Sequence, residues 1–139
     1  KTMKTKFFLL PVLALCCSCE IEGELTKDKI ESAIDPVTSI TVTQGQFTPT
    51  AGIKVSGTAK IVQDGNQYKV VLDNFSISNG PDLKVYLSKS NTPNDFITLG
   101  NLTSATVYPI PDNVSLASYP FVLIHCQQYN HLFASANLK

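Results

Sequence analysis

Two residue types in this chain carry redox or metal-binding chemistry, and both are scarce: four cysteines and two histidines among 139 residues. Cys16, Cys17 and Cys19 crowd the N-terminus, which leaves Cys126 alone downstream, directly after His125 and just before His131. A thiol serves as nucleophile, metal ligand or redox centre when it is reachable and its thiolate is stabilised. Imidazole ligates metals or haem and moves protons. A zinc site needs three or four converging ligands. Phe121-Val122-Leu123-Ile124-His125-Cys126 reads as a strand, and alternation along a strand sends His125 and Cys126 to opposite faces. They therefore do not ligate one metal together, and no C-x-x-C-H haem attachment run is present. The sequence assigns no metal site and identifies no cofactor. Cys126 is the redox candidate, and its bland alternative is a buried thiol acting as a small hydrophobe. Gly80-Pro81-Asp82 is explained by turn chemistry. Asp73 and Asp82 have no spacing that makes them an acid–base pair. With no G-x-S-x-G elbow, P-loop or H-E-x-x-H helix, no catalytic residue is assigned, and the chain does not read as an enzyme by itself.

The N-terminal cysteines belong to an address. Lys4 and Lys6 precede an apolar run from Phe7 to Cys17 broken only by Pro11. As a helix it spans about 16 Å against roughly 30 Å of hydrocarbon, too short to anchor the chain by itself. A cationic flank followed by a short apolar core reads as a secretory signal. Leu15-Cys16-Cys17-Ser18-Cys19 resembles a bacterial lipobox, with Ser18 the best residue before a cut and Cys19 the expected lipid attachment site. Residues 1–18 are then a lipoprotein signal peptide, and 19–37 an acidic tether carrying Glu20, Glu22, Glu24, Asp28, Glu31 and Asp35. A diacylated cysteine provides the two chains that stable anchoring requires. The expected location is the bacterial cell envelope, periplasmic or surface-exposed, with the membrane as a partner through the lipid. Export normally pairs cysteines, and Cys126 has none left to pair with once Cys16 and Cys17 depart and Cys19 is acylated.

Residues 38–139 must build whatever positions Cys126. Hydrophobic residues make up 43% of the chain and charged residues 16%, which excludes wholesale disorder and long coiled coil. The eleven cations are all lysines and balance eleven acids, without a basic block, so nucleic acid is not an expected partner. Ile53, Val55, Ala59 and Ile61 alternate with polar residues, the pattern of a half-buried antiparallel strand. Asp64-Gly65-Asn66 predicts a turn into Tyr68–Phe75, hence a hairpin. Leu83, Val85 and Leu87 alternate again, and further short strands are expected near Phe96–Leu99, Thr106–Ile110, Pro120–Cys126 and Leu132–Leu138. Short strands without a long helical period predict a single all-β domain, an antiparallel β-sandwich or barrel. Phe121–Cys126 is apolar on both faces and predicts a central strand, and the expected core includes Ile53, Val55, Leu72, Val85, Leu123 and Ile124.

Taken in order, several blocks of this domain resemble the DM-thirteen domain family, described as an electron-transfer domain. They are Gly45-Gln46-Phe47, Val55-Ser56-Gly57-Thr58-Ala59, Leu72-Asp73-Asn74-Phe75 and Gly80-Pro81-Asp82-Leu83-Lys84-Val85-Tyr86-Leu87. Leu99-Gly100-Asn101-Leu102, Tyr108-Pro109-Ile110-Pro111, Val122–Cys126 and Phe133–Leu138 complete the series. The resemblance implies an all-β extracytoplasmic module with a characteristic cysteine, matched by Cys126. His125 stands where the family often has Trp, and this chain has no Trp. The implied function is a membrane-anchored domain serving a redox or electron-transfer chain through Cys126, with an envelope redox partner. The rival is a non-catalytic cell-surface binding or structural lipoprotein in which Cys126 is a core residue.

Overall fold

In the computed structural model, residues 39–139 are described. The Cys19 lipid site, the signal peptide and the acidic tether lie outside them. The strands are β1 (Ser39–Pro49), β2 (Val55–Asp64), β3 (Gln67–Ile77), β4 (Leu83–Ser88), β5 (Phe96–Asn101), β6 (Val107–Pro109), β7 (Phe121–Cys126) and β8 (His131–Asn137). A 3-10 turn, Leu116–Ser118, precedes β7. All strand pairs are antiparallel, in the order β5-β4-β7-β8-β1-β2-β3-β6. The fold class is therefore all-β and antiparallel, one sheet nearly closed into a barrel.

Local chemistry explains the joints. Gly65, at φ 60, sits first in the two-residue loop between the paired Asp64 and Gln67, the position where a tight hairpin favours glycine. A bulge interrupts the β2–β3 ladder between Ser56 and Thr58, with Gly57 at φ 108 and Asn74 at φ 48 across from it. A Cβ on Gly57 would come within 2.7 Å of the Asp73 carbonyl oxygen, so this kink in the ladder needs glycine. β1 is long enough to serve both halves of the sheet: Ser39–Gln46 lies against β2 and Phe47–Pro49 against β8. At the remaining seam the Tyr108 ring lies beside Gly100 of β5, and its hydroxyl donates to the Ala105 carbonyl at 3.0 Å. The Thr103 amide donates to the same hydroxyl at 3.4 Å.

The core forms from the inward faces of these strands: Ile61, Val70, Leu72, Val85, Leu87, Val122, Ile124 and Cys126 are buried there with Phe47, Phe133 and Tyr108. β7 lies between β4 and β8 and is covered on both faces, as its apolar run predicts. Two expected core residues need correction. Ile53 and Val55 are only half-buried and pack at the margin, because β2 begins at Val55 and Ile53 lies in the preceding turn. Leu123 is fully buried but faces away from the Val122–Ile124 cluster, beside Tyr86 on the adjacent strand. Ile40 and Val42, at the start of β1, are exposed.

Candidate functional site

Cys126 ends β7, and its position follows from the alternation Val122, Ile124, Cys126 on the core face. Its exposure is 0%, and it is the free cysteine among the described residues. The thiol donates to the Pro81 carbonyl oxygen, with Sγ 2.8 Å away, a bond that requires the sulfur to keep its hydrogen. Around it the barrel end is closed by the chain between β3 and β4. Gly80 rests on the Phe133 ring so closely that a Cβ would fall 2.6 Å from the ring tip. The Asp82 carbonyl accepts from the Gln127 amide at 3.1 Å, and its carboxylate pairs with Lys84 at 2.8 Å. Asp82 has φ 56, a left-handed backbone that an Asp tolerates better than most residues. The turn predicted from Gly80-Pro81-Asp82 is present, and it covers the thiol, which the sequence did not announce.

His125 lies on the other face, as alternation requires. The register shift between Ile124 and His125 leaves Phe133 as the extra residue on β8, so β7 itself keeps its alternation. The imidazole is 4% exposed. Its Nε2 is 3.2 Å from Asn130 Oδ1, which makes Nε2–H the donor and leaves Nδ1 buried without a hydrogen-bond partner among the described residues. Burial pushes its pKa below the ordinary 6.5; the Asn130 bond opposes that shift and His131 adds to it. The Tyr86 ring stands 5.5 Å from the imidazole and stacks on Phe96 at 4.1 Å. Burial raises the Tyr86 phenol above its ordinary 10.0, with Lys84 opposing and Asp82 reinforcing. Phe96 is 37% exposed, so an aromatic row runs from the surface to the residue before Cys126. Sequence reading missed this row because its members are brought together by β5, β4 and β7.

His131 is exposed and meets Phe133 edge-on at 5.4 Å. The two histidines and Cys126 therefore occupy three surroundings: the outer face of β7, the surface and the core. Among the described residues no group of three or more His, Cys, Asp or Glu side chains is placed to hold a metal ion. What the arrangement offers chemically is one enclosed thiol under an exposed segment, backed across the sheet by a neutral imidazole and two stacked rings.

No curated protein and no solved structure matches this chain. Residues 46–138, nearly the whole of the described fold, match the family described as Electron transfer DM13. The match runs from the end of β1 through β8 and includes Cys126, and the chain belongs to the Electron transfer DM13 family.

Proposed function

We propose that this protein is a lipid-anchored protein of the bacterial cell envelope whose DM13 domain serves an electron-transfer chain, with Cys126 as its redox residue. The observation that carries the reading is the free thiol of Cys126, closed in at one end of the barrel beneath the exposed Pro81 and Asp82. The family description supports electron transfer. The Ser18–Cys19 junction behind Lys4, Lys6 and the apolar run supports lipid anchoring, and the acidic stretch to residue 37 supports a tether. The partner is then a redox protein of the envelope that reaches this end of the barrel.

A second reading is favoured by one observation, the 0% exposure of Cys126 among Val122 and Ile124. On that reading the protein is a non-catalytic surface-binding or structural lipoprotein, and the thiol packs. Purification from the native envelope, with an optical spectrum and the mass of the Cys126 peptide, separates the two. The electron-transfer reading expects a bound chromophore or a modified Cys126, and loss of electron transfer in a folded Cys126→Ser variant. An unmodified thiol, no chromophore and unaltered electron transfer in that variant would leave the packing role. Anchoring is tested separately: Cys19→Ala should stay unprocessed and fail to gain lipid, and normal processing of that variant would remove Cys19 from the assignment.

A further inference from the structure

The segment joining β3 to β4 is attached differently from the strands it connects. Its first hinge is Ser78, whose amide donates to the Lys54 carbonyl at 2.9 Å, and its second is Leu83, where the β4 ladder begins. Between them the Asn79 and Gly80 amides make no backbone hydrogen bond among the described residues, and Pro81 has no amide hydrogen to give. The segment is held down by the Gly80–Phe133 contact, the thiol bond to the Pro81 carbonyl, the Gln127–Asp82 bond and the Asp82–Lys84 pair. Asn79, Pro81 and Asp82 are exposed, and Asp82 holds a left-handed backbone that relaxes on release. By contrast, β7 beneath it is paired on both sides and covered on both faces. Segments with few buried apolar contacts and exposed ties open at lower free energy than the core they cover.

We propose that Asn79–Asp82 is a strap that opens as a unit while the barrel stays folded, so that access to this end of the barrel is set by a local equilibrium. The strap closes over Phe133 and Cys126, and lifting it breaks the bond from the thiol without breaking any β-ladder. Nothing on β7 has to move, because the Cys126 backbone stays paired with Leu83 and His131. Its bearing on electron transfer rests on the function proposed above, since the strap would then control when a partner reaches the sulfur. The opening itself is measured without that assumption.

The test is the rate at which Cys126 in the full chain reacts with N-ethylmaleimide, followed by the mass of its peptide across low urea concentrations. A strap gives a labelling rate that is nearly flat in urea before the global transition and faster than global unfolding allows. Asp82→Asn removes the ion pair while keeping a residue that tolerates the left-handed backbone, and should speed labelling several-fold without urea while leaving its weak urea dependence unchanged. Gly80→Ala forces the strap off Phe133 and should speed labelling about tenfold or more. If that variant fails to fold, Asp82→Asn and the urea dependence decide the matter. Labelling that rises along the global unfolding slope in both wild type and Asp82→Asn overturns the strap. An opening strap combined with unaltered electron transfer in Cys126→Ser would overturn the redox role alone.

Discussion

At the scale of single residues, the two side chains that the sequence brings to notice as neighbours have opposite problems. Cys126 has its hydrogen bond and no exposure, whereas His125 is buried with one ring nitrogen unpartnered. Burial lowers the His125 pKa, so in acid the unfolded chain takes up a proton before the folded one does. Its contribution to stability is therefore complete above the unfolded value of about 6.5, declines as pH falls toward the lowered folded pKa, and levels off below it. Urea midpoints measured from about pH 8 to about pH 5 should fall in wild type and fall less in His125→Leu. An identical slope in the variant would place the titration elsewhere. For Cys126→Ser, the hydroxyl keeps a donor for the Pro81 carbonyl but brings a more polar group into an apolar site. A loss of about 1–3 kcal/mol in urea unfolding is expected.

At the scale of elements, β7 and the β5–β6 seam make contrasting demands. β7 is central, and Leu123 is fully buried on its outer face, so Leu123→Ala should cost about 2–5 kcal/mol. A neutral result in chemical denaturation would contradict that burial. Among the described residues the seam has no ladder of its own; the Tyr108 ring lies beside Gly100 there, and its hydroxyl accepts from Thr103 and donates to Ala105 in the β5–β6 connection. Tyr108→Phe should lower stability by about 0.5–1.5 kcal/mol and speed hydrogen exchange of the Thr103 amide, with β7 amides shifting only as far as global stability does. The β2–β3 bulge is less forgiving. Gly57→Ala imposes a side chain at φ 108 against the Asp73 carbonyl, and a loss of about 1–3 kcal/mol is expected by thermal or urea unfolding.

At the scale of the whole molecule, the described strands share one hydrophobic core, and the eleven-residue β1 pairs with both β2 and β8 and so joins the two halves of the sheet. Residues 38–139 should accordingly fold alone in one cooperative transition, with a strand-type far-ultraviolet spectrum. A helix-dominated spectrum, or separate transitions for the β2–β3 hairpin and β7, would break that picture. The same connectivity explains the uneven protection of the surface. The ladders close on one another around the core, whereas the strap at the Cys126 end is tied down by only a few bonds.

What the sequence by itself determined follows from periods of two and from turn residues. Alternation at Leu83, Val85 and Leu87 marks β4, Gly65 marks the hairpin, and the doubly apolar run to Cys126 marks a central strand. It also separated His125 from Cys126, because adjacent strand residues face opposite ways whatever the partner strands are. Only the tertiary structure decided what each then meets. Lys69 is 5% exposed, paired with Asp64 at 2.9 Å and placed opposite Pro109 of β6, surroundings that its own neighbours in the chain do not reveal. Tyr86, Phe96 and His125 form a row because three strands distant in the chain lie side by side. Gly80-Pro81-Asp82 is legible as a turn, but its place over Phe133 and Cys126 is not. Strand period and turn chemistry are local properties, readable a few residues at a time. Which face is covered, and by what, depends on strand order, and strand order is set by pairings between residues far apart in the chain.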